Sequence, residues 1–295
     1  MNLCLPKPGL YVIAVSGGID SVCLLDILAK TGSYSLVVAH YDHGIRHNSA
    51  EDLRFVQLLA DKYRTSFVSC SGNLGPGTSE AEARAARYKF LRQVVKERQA
   101  QAIITAHHQD DRIETLIINL IRGTGRRGVS SLKETTDIKR PLLKITKNEL
   151  KLYALKHNLS WVEDSTNIDE RYLRNYIRLR VLPRINQAER NKLIDLMDKQ
   201  ERINCELDAL ISKFIAKDEG KLLSRKTINS LPFPESKELV ATWLRANNLF
   251  NFDHKTIERL TLAVKTKRPG TKLDVYNQAM ITINKEFLAL DTVER

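Results

Sequence analysis

Apolar positions in the first 125 residues alternate between short runs and longer helical patterns. Residues 10–15, 35–40, 65–70 and 101–106 are runs rich in Val, Ile, Ala and Phe, as expected of buried strands. Between and after them, 20–30, 49–63, 79–98 and 110–122 place apolar residues at the three- and four-residue spacing of helices. Strand and helix at this cadence predict βαβ units and a parallel sheet covered on both faces. Ligands of such sheets bind at the carboxyl ends of the strands. Three segments rich in polar and charged groups fall there: 16–21, 40–46 and 107–114.

Further on, the pattern predicts a helix near 147–157, a loop at 164–171 and a basic helix near 172–182 ending at Pro183. Leu193, Ile194, Leu196, Met197, Ile203, Leu207, Leu210, Ile211 and Phe214 then recur at helical spacing, so a long helix over 187–216 leads into a second domain. Two more helices, near 235–247 and 254–266, precede strand-like pieces at 271–276, 279–284 and 286–290. The expected architecture is α/β: a parallel-sheet domain over 1–185 followed by a smaller, mainly helical domain over 186–295. No internal repeat or low-complexity tract interrupts it.

Composition narrows the function classes. A chain of 295 residues fits two domains. No apolar run approaches the roughly 20 residues that span a bilayer, and the first residues lack the basic-then-apolar order of a secretory signal. Cys4, Cys23, Cys70 and Cys205 are scattered, with no Cys-x-x-Cys pair, which argues against a zinc site, an iron–sulfur site or a disulfide framework. A cytoplasmic location is expected, without a membrane partner. The net charge of +12 points to a polyanion such as nucleic acid. Most of it, a surplus of nine, lies in residues 1–185.

The strongest local signal is Ser16-Gly17-Gly18-Ile19-Asp20-Ser21, after the apolar run Tyr11 to Val15. Glycines let the backbone turn sharply and approach a ligand closely. The free amides at the start of the following helix suit an anion, phosphate first. Ile19 after Gly18 excludes a Walker loop, which needs Lys there, and the three spaced glycines of a dinucleotide fingerprint are missing. The segment resembles the PP-loop signature Ser-Gly-Gly-x-Asp-Ser of the N-type ATP pyrophosphatases. That resemblance implies an adenine-nucleotide α-hydrolase-like fold. It also implies an enzyme that cleaves ATP between its α and β phosphates and transfers AMP to an oxygen.

Two further segments carry chemistry. Asp42, His43 and Arg46 offer a carboxylate, an imidazole and a guanidinium around Gly44, or simply a polar loop. His107-His108-Gln109-Asp110-Asp111-Arg112-Ile113-Glu114-Thr115 leaves a strand and enters a helix. Its acids suit a helix start. Asp110 or Asp111 with Glu114 also share a face that could hold Mg²⁺.

In order along the chain, several runs resemble the motifs of the tRNA(Ile)-lysidine synthetases. They are His43-Gly44-Ile45-Arg46, with Asp42 where Asn is usual; Arg84-Ala85-Ala86-Arg87-Tyr88; and the His107–Thr115 run, with Arg112 where Gln is usual. Arg122-Gly123-Thr124-Gly125, Arg140-Pro141-Leu142-Leu143, Asp164-Ser165-Thr166-Asn167 and Arg174-Asn175-Tyr176-Ile177-Arg178 follow. Arg126 stands where Leu is commoner, and an Arg at 112 could contact phosphate. The likeness covers about residues 11–184.

The resemblance implies a ligase that uses ATP to adenylate the wobble cytidine of tRNA(Ile) with a CAU anticodon. Free L-lysine then displaces AMP, giving lysidine and changing the tRNA from methionine to isoleucine identity. Ser16, Gly17, Gly18, Ile19, Asp20, Ser21, Arg122 and Gly123 would bind the nucleotide, and Asp20, Asp110, Asp111 and Glu114 would hold Mg²⁺. Asp20, Asp42, His43, Arg46, Asp111 and Glu114 are the candidate catalytic groups. Arg84, Arg87, His107, His108, Arg140, Arg174, Asn175 and Arg178 are candidates for substrate contacts. Rivals are another PP-loop tRNA-modifying enzyme such as a thiolase, which normally relies on cysteines, and a non-catalytic nucleotide- and RNA-binding protein. Longer members of the family carry an additional C-terminal region. A single compact domain is therefore expected after the catalytic one here, with a smaller tRNA surface or one supplied by a homodimer partner.

Overall fold

The computed structural model describes residues 3–42, 44, 49–72, 78–130, 132–163, 169–215, 221–249, 252–276 and 279–292. His43, Ile45, Arg46 and the 164–167 motif lie outside the described residues. The chain divides into two compact units, Met1–Gln200 and Glu201–Arg295.

The first unit is built on five parallel strands: β1 (Gly9–Ala14), β2 (Tyr34–Asp42), β3 (Ser66–Ser71), β4 (Ile103–Ile104) and β5 (Ile138–Lys139). Their order is β3-β2-β1-β4-β5, so the winding reverses between β1 and β4. Such a reversal leaves a crevice at the carboxyl ends of the two strands. The helices are α1 (Ile19–Thr31), α2 (Ser49–Lys62), α3 (Glu80–Arg98), α4 (Gln109–Ile121), α5 (Arg126–Val129) and α6 (Lys147–Lys156).

Strand alternation sorts the core onto two faces. Ile13, Val38 and Ile104 pack with Leu24, Leu25 and Leu28 of α1 and with Leu150 of α6. Val12, Val37 and Ile103 pack with Leu91 and Val94 of α3. Because α1 is buried on most of its circumference, continuously from Ser21 through Leu28, its residues show little amphipathic pattern. Capping boxes start α3 at Ser79 and Glu82 and α6 at Thr146 and Glu149.

A third cluster joins Ile113 and Leu116 of α4 to Ile177, Leu182, Ile194 and Met197. The basic segment expected as one helix is in fact irregular. It begins as α7 (Leu173–Tyr176), widens into a π-helical turn over Ile177–Val181 and ends in a tight turn containing Pro183. Turns of that wide kind recur at functional sites. The long helix α8 spans Gln187–Ile215.

The second unit holds β6 (Leu222–Ser224), α9 (Arg225–Ser230), α10 (Phe233–Ala246), α11 (His254–Thr266), β7 (Lys272–Tyr276), β8 (Ala279–Ile283) and β9 (Phe287–Thr292). The strands form an antiparallel sheet in the order β6-β9-β8-β7. Trp243, Leu260, Val264, Ile281 and Leu288 centre its core.

Candidate functional site

The Ser16–Ser21 loop leaves β1 at the crevice and closes on its own hydroxyls. Ser21 Oγ donates to the Gly18 carbonyl at 2.9 Å and accepts from the Ser16 amide at 3.2 Å. Gly17 has φ +91°, and a Cβ there would meet Phe55, Val56 and Val162 at 3.4–3.7 Å. Its carbonyl accepts from the Val162 amide at 3.0 Å, which pins the loop to the segment after α6. Gly18 is different. At φ −71°, ψ 158° it caps α1 with no side chain, in a conformation open to any residue. The lack of a side chain keeps the amides at the start of α1 accessible to an anion.

Helices α1 and α6 run parallel with a constant offset of 127 residues. Lys147 Nζ donates to both Asp20 oxygens at 2.7 Å. The Cys23 thiol donates to the Leu150 carbonyl at 3.4 Å, and Tyr153 Oη donates to Asp26 at 2.6 Å. Lys30 meets His157 at 3.1 Å. Buried Asp26 also accepts from Tyr63 Oη at 2.7 Å and pairs with Lys30 at 2.9 Å. This zipper carries Lys147 to the phosphate loop. Sequence reading missed it, although one signal was available: a Lys in the first turn of a helix opposes the dipole and contributes nothing locally.

At the start of α4 lies a charged cluster. His108 Nε2 stands 3.6 Å from Asp20 Oδ2 and 3.6 Å from Asp111 Oδ2, and Asp111 also accepts from the His108 amide at 2.9 Å. Fully buried Glu114 takes a two-pronged contact from Arg178 at 2.7 and 2.9 Å, with Arg174 at 3.5 Å. Arg178 also reaches Asp111 at 3.4 Å. A cleft of about 830 Å³ opens over these groups, lined by Ser16, Gly18, Asp20, Arg87, His107, Asp111, Lys147, Trp161 and Arg178 among others.

Burial alone would raise the Asp20 carboxyl. The hydrogen bond and charge of His108, with the charge of Lys147, overcome it and hold Asp20 at about 2. The two histidines diverge. Desolvation pushes His107 down to about 3, and the charges of Arg84, Arg140 and Arg87 reinforce it over the opposing pull of Asp111. Desolvation also works against His108, but Asp111 and Asp20 raise it above the ordinary histidine value. Burial raises Glu114 despite the Arg178 fork. Against burial, the His108 charge, the bond from the His108 amide and the Arg178 charge keep Asp111 low.

The structure therefore gathers Ser16 to Ser21, His107, His108, Asp111, Glu114, Arg174 and Arg178 around one crevice, with Arg87 at its wall. Arg84 stacks on the Tyr88 ring at 4.8 Å. Arg140 is buried, its amide on Glu134 and its guanidinium on the Lys133 carbonyl. Asn175 donates to the Asp169 carbonyl at 3.0 Å. Other expected residues are not brought to the crevice. Asp110 faces Arg190 at 2.9 Å. Arg122 and Gly123 end α4, about 16 Å beyond Asp111 along the helix axis. Asp42 closes a turn by accepting from the Gly44 amide at 2.8 Å, and it does not line the cleft. Arg112 pairs with Asp198 inside the α4–α8 packing and contacts no phosphate loop.

For Mg²⁺, the expected four-carboxylate set is not assembled. Asp110 and Glu114 are committed to arginines, and no group of three acidic, His or Cys ligands stands together among the described residues. Asp20 and Asp111 do fit an ion held mainly by substrate phosphates, which needs one or two carboxylates.

Fold and loop together define the class: an α/β protein with a phosphate cradle at the switch point of its sheet. Consistently, residues 6–185 match the PP-loop domain family. The tRNA(Ile)-lysidine synthase of Staphylococcus aureus (strain MRSA252) is 30% identical over 92% of this chain and 69% of its own length. That of Actinobacillus pleuropneumoniae serotype 3 (strain JL03) is 30% identical over 79% of this chain and 58% of its own. Among solved structures, the U34-tRNA thiolase NcsA from Methanococcus maripaludis with its 4Fe–4S cluster shares the fold. Its TM-score is 0.55 at 17% identity, covering 68% of this chain and 73% of that one. The chain belongs to the tRNA(Ile)-lysidine synthase family of PP-loop proteins. It spans 58% of the length of the Actinobacillus relative. No helix among the described residues is long and apolar enough to cross a membrane.

Proposed function

We propose that the chain ligates L-lysine to C2 of the wobble cytidine of the CAU-anticodon tRNA(Ile), consuming ATP and releasing AMP and pyrophosphate. The observation that carries this reading is the sharing of one cleft by the phosphate loop and by Asp111 and Arg178, the latter anchored on buried Glu114. A phosphate cradle alone would serve many acceptors. An acid–arginine cluster beside it suits a second substrate that is both cation and carboxylate, as free lysine is.

In this reading the amides around Gly18 and the Ser16 and Ser21 hydroxyls hold the phosphate chain. The cytidine O2 attacks the α-phosphorus, and pyrophosphate departs with the bonding electron pair. Asp20 and Asp111 would hold a Mg²⁺ ion, whose chemistry there would be neutralisation of the developing phosphate charge. The lysine ε-ammonium gives a proton to solvent, the free amine adds to C2, and AMP departs with the electron pair of the broken C2–O bond as the new C–N nitrogen releases a second proton to solvent. Asp111 is the carboxylate of the cluster that faces the cleft and receives the amine, with Arg178 fixing its orientation. The neutral His107 and the arginines at the wall suit an extruded base and its phosphates.

Sulfur transfer is disfavoured by the cysteines. Cys23 is buried, and its thiol is pushed up to about 12 by burial and by Asp20 and Asp26. None of the four lines the cleft. The test is incubation with an in vitro transcript of the CAU-anticodon tRNA(Ile), ATP and radiolabelled lysine. Incorporation that requires ATP and disappears in Asp20→Ala is the expected result. AMP release without lysine dependence, or activity lost on replacing Cys4, Cys70 and Cys205 with Ser, would overturn the reading.

A further inference from the structure

Lys147 is the first residue of α6, and α6 lies parallel to α1 with both helix starts at the cleft. An ammonium there sits against the positive ends of two helix dipoles, where fold stability alone disfavours a cation. It serves no cap, because Thr146 and Glu149 already close the α6 start on each other. Its Nζ spends two donors on the two Asp20 oxygens, both at 2.7 Å, its hydrogen bonds among the described residues. An ammonium has three donors. The side chain is one-third exposed and lines the cleft beside Ser16 and Gly18. Its backbone is held firmly, since Tyr153 and Leu150 further along α6 bond to Asp26 and Cys23 of α1. A fixed base with a mobile four-carbon stem is the arrangement of a cation that changes partners.

We propose that Lys147 is a phosphate-binding residue of this site, leaving the Asp20 carboxylate for a phosphate oxygen when a nucleoside triphosphate enters the cradle. The exchange trades one anion for another at the same pair of helix starts, and it frees the Asp20 oxygens as the phosphate chain arrives. Lys147 thus holds Asp20 in place before binding and steadies the departing pyrophosphate afterwards. The inference rests on ATP being the ligand of the loop, but not on the identity of the acceptor.

The test is calorimetric binding of ATP, inorganic pyrophosphate and adenosine to the full chain and to Lys147→Met and Lys147→Arg. Loss of one charge-assisted contact is expected to weaken ATP and pyrophosphate by about 10- to 100-fold in Lys147→Met. Adenosine, which has no phosphate, is expected to bind within about twofold of the parent, and Lys147→Arg to recover most of the ATP affinity. Unchanged ATP binding in Lys147→Met overturns the proposal. So does an equal loss for adenosine, which would make Lys147 a latch on loop structure only. Failure of the parent chain itself to bind ATP sinks the wider nucleotide reading as well, so the two failures are distinguishable.

Discussion

Glu114 and Arg178 are 64 positions apart in the chain and face each other across two short bonds, Nε to Oε1 at 2.7 Å and Nη2 to Oε2 at 2.9 Å. Glu114 has no solvent exposure and Arg178 is about one-third exposed. The pair ties α4 to the π-helical turn after α7, and so sets where Asp111 points. Fork-to-carboxylate geometry of this kind gives direction as well as energy.

Removing one partner of such a pair strands the other. Arg178→Ala is expected to lower the urea-unfolding free energy by about 3 kcal/mol, with Arg174 at 3.5 Å limiting the loss. Arg178→Lys should fall between, because one ammonium cannot span both oxygens. Joining Arg178→Met to Glu114→Gln should recover much of the stability without restoring lysine incorporation. If the double variant is as unstable as the single one, the stranded-charge account fails.

Adjacent histidines should titrate in opposite senses. His107 lies near 3 in the folded state, below its ordinary value. Its contribution to stability is therefore present above about pH 6.5 and lost as pH falls toward 3. His108 is raised, so its contribution is present below about 6.5 and lost as pH rises through the folded-state value. Imidazole chemical shifts should show His107 neutral at pH 5 while His108 keeps its proton above the usual midpoint. Replacing His107 with Asn should flatten the acid limb of stability, and replacing His108 with Asn the alkaline limb. Two ordinary midpoints would refute the paired environments.

Position 112 offers a clean separation of fold from chemistry. The Arg112 guanidinium is buried and bonds Asp198 of α8. Arg112→Ala is expected to cost about 1–3 kcal/mol, mostly from an uncompensated packing site and the lost ion pair. ATP affinity should stay within about twofold, as the side chain lies outside the cleft. A large drop in ATP affinity with unchanged stability would return this residue to the phosphate site.

The parallel sheet and its covering helices were legible because strand runs and helical periods alternate without ambiguity. The fifth strand was not legible. The two residues Ile138–Lys139 of β5 offer too little pattern to count periods. The acid–His–Arg cluster was legible in kind, since Asp111, Glu114 and Arg178 carry their chemistry in their side chains. Their partners were not. Asp110 sits one residue from Asp111 and bonds Arg190 instead, because successive helical residues face about 100° apart. Arg122 belongs to the same helix as Asp111 but to its far end. Lys147 belongs to none of the motifs, and only the register of α1 against α6 brings it to Asp20. Motif proximity in sequence is a poor guide to which carboxylate faces a ligand, whereas helix direction and face decide it.

The two glycines of the loop should fail in different ways when given a methyl group. At Gly17, φ is +91°, outside the range an L-residue takes without strain. The new Cβ would meet Phe55 at 3.4 Å, an ordinary contact, so the cost lies in the backbone. Gly17→Ala is therefore expected to destabilise the fold by about 1–2 kcal/mol and to weaken ATP binding together with it. At Gly18 the backbone is extended and the nearest atom to a new Cβ is Ser16 Oγ at 3.5 Å. Gly18→Ala should leave the melting temperature nearly unchanged while reducing ATP affinity, since its methyl group stands at the rim of the cradle. Thermal melts and ATP titrations of the two variants side by side decide the matter. Equal destabilisation in both would mean that Gly18 is kept for the turn, and unimpaired ATP binding in Gly18→Ala would mean that phosphate does not approach the loop at that residue.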